Sequence, residues 1–154
     1  MDFYQFATPV GDMAVASEDG CTLSRLWLPG IPLPRLMPHP TPLLLQTEQQ
    51  VLEYLACKRH TFDLPLCPQG TPFQLRVWAE LCRIPWGQTR SYGQIARAVC
   101  CPKGFRAVGQ ANHANPIPIL IPCHRVIAAD GSPGGYAGDT QLKTVLLGLE
   151  GISF

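Results

Sequence analysis

The 154-residue chain is 46% hydrophobic and 15% charged, which excludes a disordered polypeptide and implies a packed core in one medium domain or two small ones. No stretch approaches the roughly 20 apolar residues of a membrane span, and Met1 is not followed by a basic region and an apolar run. A cytoplasmic protein without a membrane partner is therefore expected. The net charge of +1 conceals an asymmetry: residues 1–70 carry four basic side chains (Arg25, Arg35, Lys58 and Arg59) against seven acidic ones, whereas residues 71–154 carry eight against four. A phosphate-facing surface, if there is one, belongs to the second half. The seven cysteines are odd in number and irregular in spacing, so reduced thiols are expected rather than a disulfide framework. Cys57, His60 and Cys67 are the loosest metal candidates. They do not reproduce a paired C-x-x-C arrangement, and no metal site is expected.

Along the chain, Tyr4–Thr8 and Met13–Ser17 read as strands flanking the turn Thr8-Pro9-Val10-Gly11, and a third strand, Leu23–Leu28, follows the turn at Glu18-Asp19-Gly20. Six prolines from Pro29 to Pro42 exclude regular structure there and predict an extended loop. A helix ending near Cys57 should follow, with Leu44, Leu45, Val51, Leu52 and Leu55 as its apolar face. Cys67-Pro68-Gln69-Gly70 reads as a linker.

The second half is helical and well punctuated. Thr71 is an N-cap with Pro72 at the first helical position, and Phe73, Val77, Trp78 and Leu81 form the stripe. Pro85-Trp86-Gly87 ends that helix. Ser91, with Gln94 three residues on, opens another as a capping box. Cys100-Cys101-Pro102 turns into a third helix through Arg106, Val108 and Gln110. The pair resembles a helix-turn-helix, although its turn lacks the usual glycine. Asn115-Pro116-Ile117-Pro118, an apolar run, Pro122-Cys123-His124-Arg125 and a glycine-rich turn at 131–135 come next. Asp139 should cap a final helix with a face of Leu142, Val145, Leu146 and Leu149.

Cys123 and His124 are the residues that could carry chemistry. The thiolate is the nucleophile, and a free thiol with pKa near 8.5 is mostly protonated at neutral pH. An imidazole that takes the proton, itself held by a carboxylate, removes that obstacle. Neighbouring side chains on an extended backbone diverge, so a bridging water would be needed. The same two residues can equally be a small buried hydrophobe beside a satisfied histidine.

The string Asn115-Pro116-Ile117-Pro118-Ile119-Leu120-Ile121-Pro122-Cys123-His124-Arg125-Val126 resembles the active-site signature of the O6-alkylguanine-DNA alkyltransferases (methylated-DNA–protein-cysteine methyltransferases). Arg106-Ala107-Val108-Gly109 is similar to the family's pattern at the family's spacing. Gly70-Thr71-Pro72-Phe73-Gln74, Ile84-Pro85-Trp86-Gly87, Ser91-Tyr92-Gly93 and the helix ending at Glu150-Gly151 also fit. The match is dense from residue 70 to 151 and reaches thinly into the first half through Thr8-Pro9-Val10-Gly11.

The resemblance implies an α+β protein of two domains. Residues 1–69, with the proline-rich loop 29–42, would form a small sheet-and-helix domain built like a ribonuclease H fragment. Residues 70–154 would form a winged-helix-like domain that binds DNA through the helix-turn-helix and carries the active site. The implied activity is a single, irreversible transfer of an alkyl group from O6-alkylguanine, and from O4-alkylthymine, to Cys123, without a cofactor. A monomer on double-stranded DNA, bound from the minor groove with little sequence preference, is the implied state.

The roles implied by the resemblance are specific. Cys123 accepts the alkyl group, His124 acts as base through a water, and Glu150 orients the imidazole. Asn115 ties the active-site segment to the helix-turn-helix, Tyr92 gives a proton to the guanine ring, and Lys143 sits nearby. Tyr136, Ala137, Val126 and Pro118 wall the base pocket. The target nucleotide must be flipped out of the duplex to reach a buried thiol; Arg106 fills the vacated stack, and Phe105, Gln110 and Ser91 join it on the DNA surface.

Three positions depart from the pattern. Phe105 stands where the family often has a small residue, Ala137 where some members have a serine, and Asp139 where a second glycine is common. Lesion sensors of similar sequence lack the acceptor cysteine, so Cys123 argues against a non-enzymatic DNA-binding protein. A Cys-His hydrolase, which would turn over repeatedly, is the other rival.

Overall fold

A computed structural model describes residues 1–136 and 140–154, and the chain is mixed α and β. It divides into two units, Met1–Gln69 and Gly70–Phe154. In the first unit, β1 (Asp2–Phe6), β2 (Met13–Ser17) and β3 (Arg25–Trp27) form an antiparallel sheet in that order. β1 stops short of Thr8 because Thr8 and Gly11 exchange backbone hydrogen bonds of 3.2 and 3.1 Å to close the turn. β3 is three residues long rather than six. Leu23 pairs instead with the segment at Leu66, accepting from Cys67 N (2.8 Å) and donating to Pro65 O (2.9 Å). Cys67, the first residue of the expected linker, is thus bonded back to the segment before β3.

Every residue of β2 is buried, because the strand is covered on both faces. Ala14 and Ala16 pack with Phe3 and Trp27, and Ile31 and Leu33 of the proline-rich loop close over them. The loop is tethered further on, where His39 N donates to Phe3 O (2.7 Å) and its Nδ1 meets Asp2 Oδ1 at 2.6 Å. Helix α1 (Pro42–Leu55) packs on β1 and β2; Thr41 caps it and Pro42 opens it. Its buried face is Leu44, Thr47, Gln50, Val51, Tyr54 and Leu55. Leu45, expected on that face, is 44% exposed. The polar Gln50 is buried at no loss because its amide bonds the backbone of Asp63 in both directions.

In the second unit, α2 (Pro72–Leu81) and α3 (Tyr92–Ala98) both open on complete capping boxes, Thr71 with Gln74 and Ser91 with Gln94. Val77, Trp78 and Leu81 are buried, and Phe73 is half-buried. The turn to α4 (Phe105–His113) does without glycine at the position that most wants it. Cys101 N bonds Ala96 O (2.8 Å) and Cys100 N bonds Arg97 O (3.0 Å), the pairing of a Schellman cap, with Cys100 at φ +62°. Glycine is needed instead at Gly104, where a Cβ would come within 2.6 Å of Cys101 Sγ. Since an L-residue in the left-handed region is strained, Cys100→Gly is expected to stabilise the protein by about 0.5–1 kcal/mol. An unchanged or lower urea midpoint would show that the cap carries no strain.

Arg90–Ser91 (β4) pairs in parallel with Val126–Ile127 (β5), which sets the start of α3 beside the 3-10 turn Cys123–Arg125. The final helix α5 (Thr140–Leu149) buries Leu142, Lys143, Leu146 and Leu147. Val145, expected on its apolar face, is 42% exposed, because the face is shifted to take in Lys143. The expected cap, Asp139, lies outside the described residues.

Candidate active site

The segment from Asn115 to Val126 is buried apart from the half-buried Pro116, and its own polar groups hold it in an unusual shape. Ile119 has φ +72°, a conformation that costs a β-branched residue on the order of 1–3 kcal/mol. Asn115 fastens the loop around it: its Nδ2 donates to Ile121 O (2.8 Å) and its Oδ1 accepts from Ile117 N (3.0 Å). Ile121 N closes the loop on Ile117 O at 2.9 Å. The bonds of the Asn115 side chain thus stay within the segment. The link from the helix pair is one turn earlier, where Asn112 of α4 donates from Nδ2 to Cys123 O at 3.2 Å. α4 is in turn held to α2 by Trp78 Nε1 donating to Ala111 O at 2.8 Å.

Of the seven cysteines, all within the described residues, Cys123 is the buried one. Its neighbours form an ion cluster around Glu150. His124 Nε2 lies 2.7 Å from Glu150 Oε2, and Arg125 donates to both carboxylate oxygens, Nε to Oε1 at 2.8 Å and Nη2 to Oε2 at 3.1 Å. Gly87 N adds a bond to Oε1 (3.1 Å), and Arg125 Nη1 donates to Ile84 O (2.8 Å). A carboxylate on Nε2 selects the tautomer protonated there, so Nδ1 carries the lone pair that accepts a proton. On a third side, Lys143 donates from Nζ to Val126 O (2.6 Å) and Gly135 O (3.1 Å), 5.9 Å from the centre of the Tyr92 ring.

Burial dominates the electrostatics. It pushes the Cys123 thiol up to about 11, against the opposing pull of a hydrogen bond from Asn115, the Lys143 charge and a hydrogen bond from Tyr136. The resting thiol is protonated. Burial also lowers His124, with Glu150 raising it and the Arg125 and Lys143 charges lowering it further. Lys143 is brought down to about 8 by burial, with Cys123 acting upward, so its charge beside the thiol is lost as pH rises past that value. Tyr92 is raised by burial and then by Cys123 and holds its proton at neutral pH.

A cleft of about 100 Å³ opens beside this cluster, lined by Tyr92, Gly109, Asn112, His113, Gly135 and Tyr136. Of the pocket walls expected from sequence, Tyr136 lines it, as does Tyr92, the expected proton donor. Val126 and Pro118 are buried and are not among its lining residues, the first bonded through its carbonyl to Lys143 and the second bridged to Ile121. Ala137 lies outside the described residues. Phe105, Arg106 and Gln110 are exposed on α4, Phe105 by 53%, with the Arg106 guanidinium 6.0 Å from the Phe105 ring centre. Ser91 caps α3.

Two residues of the site escaped the sequence reading. Arg125 was visible only as the residue after His124, and nothing in its spacing separates a buried arginine from a solvated one. Asn112 did carry a signal: it lies four residues beyond Val108, on the helix face that Val108 and Ala111 bury. Among the described residues, no group of three or more His, Cys, Asp or Glu is placed to hold a metal ion, and no helix is long and apolar enough to cross a membrane.

A buried cysteine followed by the histidine and arginine that meet Glu150, and bonded through its carbonyl to α4, is the arrangement of a protein able to do thiol chemistry beside a helical surface. The known proteins that this chain resembles point to one family. Residues 72–152 match the family model described as 6-O-methylguanine DNA methyltransferase, DNA binding domain. The constitutive methylated-DNA–protein-cysteine methyltransferase of Bacillus subtilis is 45% identical, over all of this chain and 98% of its own length. A methylated-DNA–protein-cysteine methyltransferase of Methanosarcina acetivorans is 40% identical over 95% of this chain and 96% of its own. The OGT protein of Mycobacterium tuberculosis, solved in complex with DNA, superposes with a TM-score of 0.89 at 40% identity, covering 97% of this chain and 92% of that one. The chain belongs to the methylated-DNA–protein-cysteine methyltransferase family.

Proposed function

We propose that the protein repairs DNA by taking the alkyl group of O6-alkylguanine onto Cys123, in one irreversible event per chain. Direct-reversal repair by a DNA methyltransferase is what its family membership supports, and the observation that carries the assignment of the acceptor is the buried thiol of Cys123 beside the His124–Glu150 pair at 2.7 Å. In the step, the sulfur attacks the alkyl carbon, a C–S bond forms and the C–O6 bond breaks. The thiol proton passes through water to His124 Nδ1, and the resulting imidazolium is held by Glu150. The electron pair of the broken bond stays with the base, which takes a proton from Tyr92 on a ring nitrogen. Lys143 favours the thiolate by its charge, and Asn115 keeps the acceptor loop in its strained shape.

The first unit is read as a ribonuclease-H-like piece and the second as a winged-helix-like DNA-binding domain. The protein acts as a cytoplasmic monomer and approaches double-stranded DNA from the minor groove. A duplex hides O6 from a thiol that is 1% exposed, so the nucleotide turns out of the stack and the exposed Arg106 takes its place. Phe105, Gln110 and Ser91 share that surface. Arg106→Ala is expected to slow repair of duplex DNA by at least about tenfold more than reaction with free O6-benzylguanine, which needs no flipping. Equal losses on both substrates would place Arg106 in the base pocket instead.

A further inference from the structure

Among the described residues, the exposed aromatic rings are Phe154 at the chain end and Phe105 at the start of α4. Phe105 is 53% exposed, although burying such a ring is among the larger favourable contributions a side chain can make. The family pattern often has a small residue at this position, so the ring is a feature of this chain. Its surroundings are cationic. No acidic residue stands between Glu80 and Asp130, and Arg97, Lys103 and Arg106 are exposed. A polyanion that also presents flat apolar faces suits both features, and nucleic acid is such a partner. Helical spacing places the ring at the rim of the cleft beside the thiol. Phe105 and Arg106 stand four and three residues before Gly109, which lines that cleft, so both lie on its side of α4, about one helical turn away. The Arg106 guanidinium is 6.0 Å from the Phe105 ring centre, near enough for each flat group to steady the other.

We propose that Phe105 is a second wedge: entering the groove beside Arg106, its ring stacks on the base pair next to the emptied position and holds the duplex open for repair. The proposal rests on the base-flipping reading above and adds to it a residue whose work Arg106 alone does not do. Turning a nucleotide out uncovers the faces of its neighbours, and apolar side chains inserted at such steps replace part of the lost stacking. Alanine in place of an aromatic that stacks on a base ordinarily weakens the complex by about 5–150-fold.

The test measures single-turnover methyl transfer from O6-methylguanine in a duplex and in the same strand left single, which has no paired stack to hold open. Each rate is divided by that of the same variant with free O6-benzylguanine, so differences in folding or thiol reactivity cancel. Phe105→Ala should lose at least about tenfold on the duplex and less than about threefold on the single strand. Phe105→Trp, which keeps a flat face, should repair the duplex within about threefold of the unsubstituted protein. Phe105→Leu, apolar but not flat, should fall towards the alanine value. Equal losses on duplex and single strand would make Phe105 an ordinary DNA contact and overturn the inference. So would a duplex rate that is unchanged in Phe105→Ala or in Phe105→Leu. Arg106→Ala, run alongside, tells the two failures apart: its equal loss on duplex and free base would remove the flipping reading, and this inference with it.

Discussion

Replacing Glu150 by alanine is expected to destabilise the protein by about 3–5 kcal/mol, the usual consequence of leaving a buried charge without its partner. The side chain of Arg125 is 8% exposed and that of Glu150 is fully buried. Arg125 gives two of its three hydrogen bonds to that carboxylate, so without Glu150 a guanidinium is stranded in the interior. Glu150→Gln separates charge from shape. Burial and the positive charges of Arg125 and Lys143 lower His124, and Glu150 is what opposes them. With that carboxylate neutralised, the imidazole holds a proton less well and accepts the thiol proton less readily. The thiolate then forms at higher pH, and the rate–pH profile of alkylation should move upward. Chemical denaturation and a pH series with free O6-benzylguanine read the two effects. An unchanged midpoint in the alanine variant together with an unchanged profile in the glutamine variant would reduce Glu150 to a space-filling residue.

Methylation of Cys123 should weaken the fold that accepts it. The thiol is 1% exposed, in a segment whose neighbours are all buried from Ile117 to Val126. Adding a methyl to so close a site overpacks it, at a typical cost of about 1–3 kcal/mol. The thioether also gives up its proton and its ability to become an anion, so the hydrogen bonds from Asn115 and Tyr136 and the Lys143 charge that favour the thiolate lose their object. Strain at Cys123 has a short route to the DNA surface, because Asn112 of α4 bonds its carbonyl. For a chain of this length the melting temperature should fall by roughly 2–8 °C on methylation. Thermal melting and protease sensitivity of the two forms, freed of DNA, decide the matter. Equal melting and equal protease resistance would refute it.

The capped helices were legible because caps are local: Thr71 with Pro72 and Ser91 with Gln94 are each decided within four residues. The pairing of His124 with Glu150 followed from the family resemblance, since 26 residues separate them and no local rule joins them. Where the sequence reading slipped, a partner distant along the chain decided. Leu23 left β3 to pair with Leu66, Gln50 joined the buried face of α1 because the backbone of Asp63 satisfies its amide, and α5 buries Lys143 against the carbonyls of Val126 and Gly135. A buried lysine or arginine contradicts the one-residue expectation for its type. Lys143 was named through the family resemblance, whereas Arg125 becomes readable as a site residue only when the carboxylate that receives it is in place.

The most direct test of the central claim is intact and peptide mass spectrometry after mixing the protein with a duplex containing O6-methylguanine. The account requires a gain of about 14 Da per chain, one CH₂, located on Cys123, absent in Cys123→Ala, and saturating at one methyl per chain however much DNA is supplied. DNA binding without any gain in mass, a methyl on another residue, or several turnovers by a single chain would contradict it.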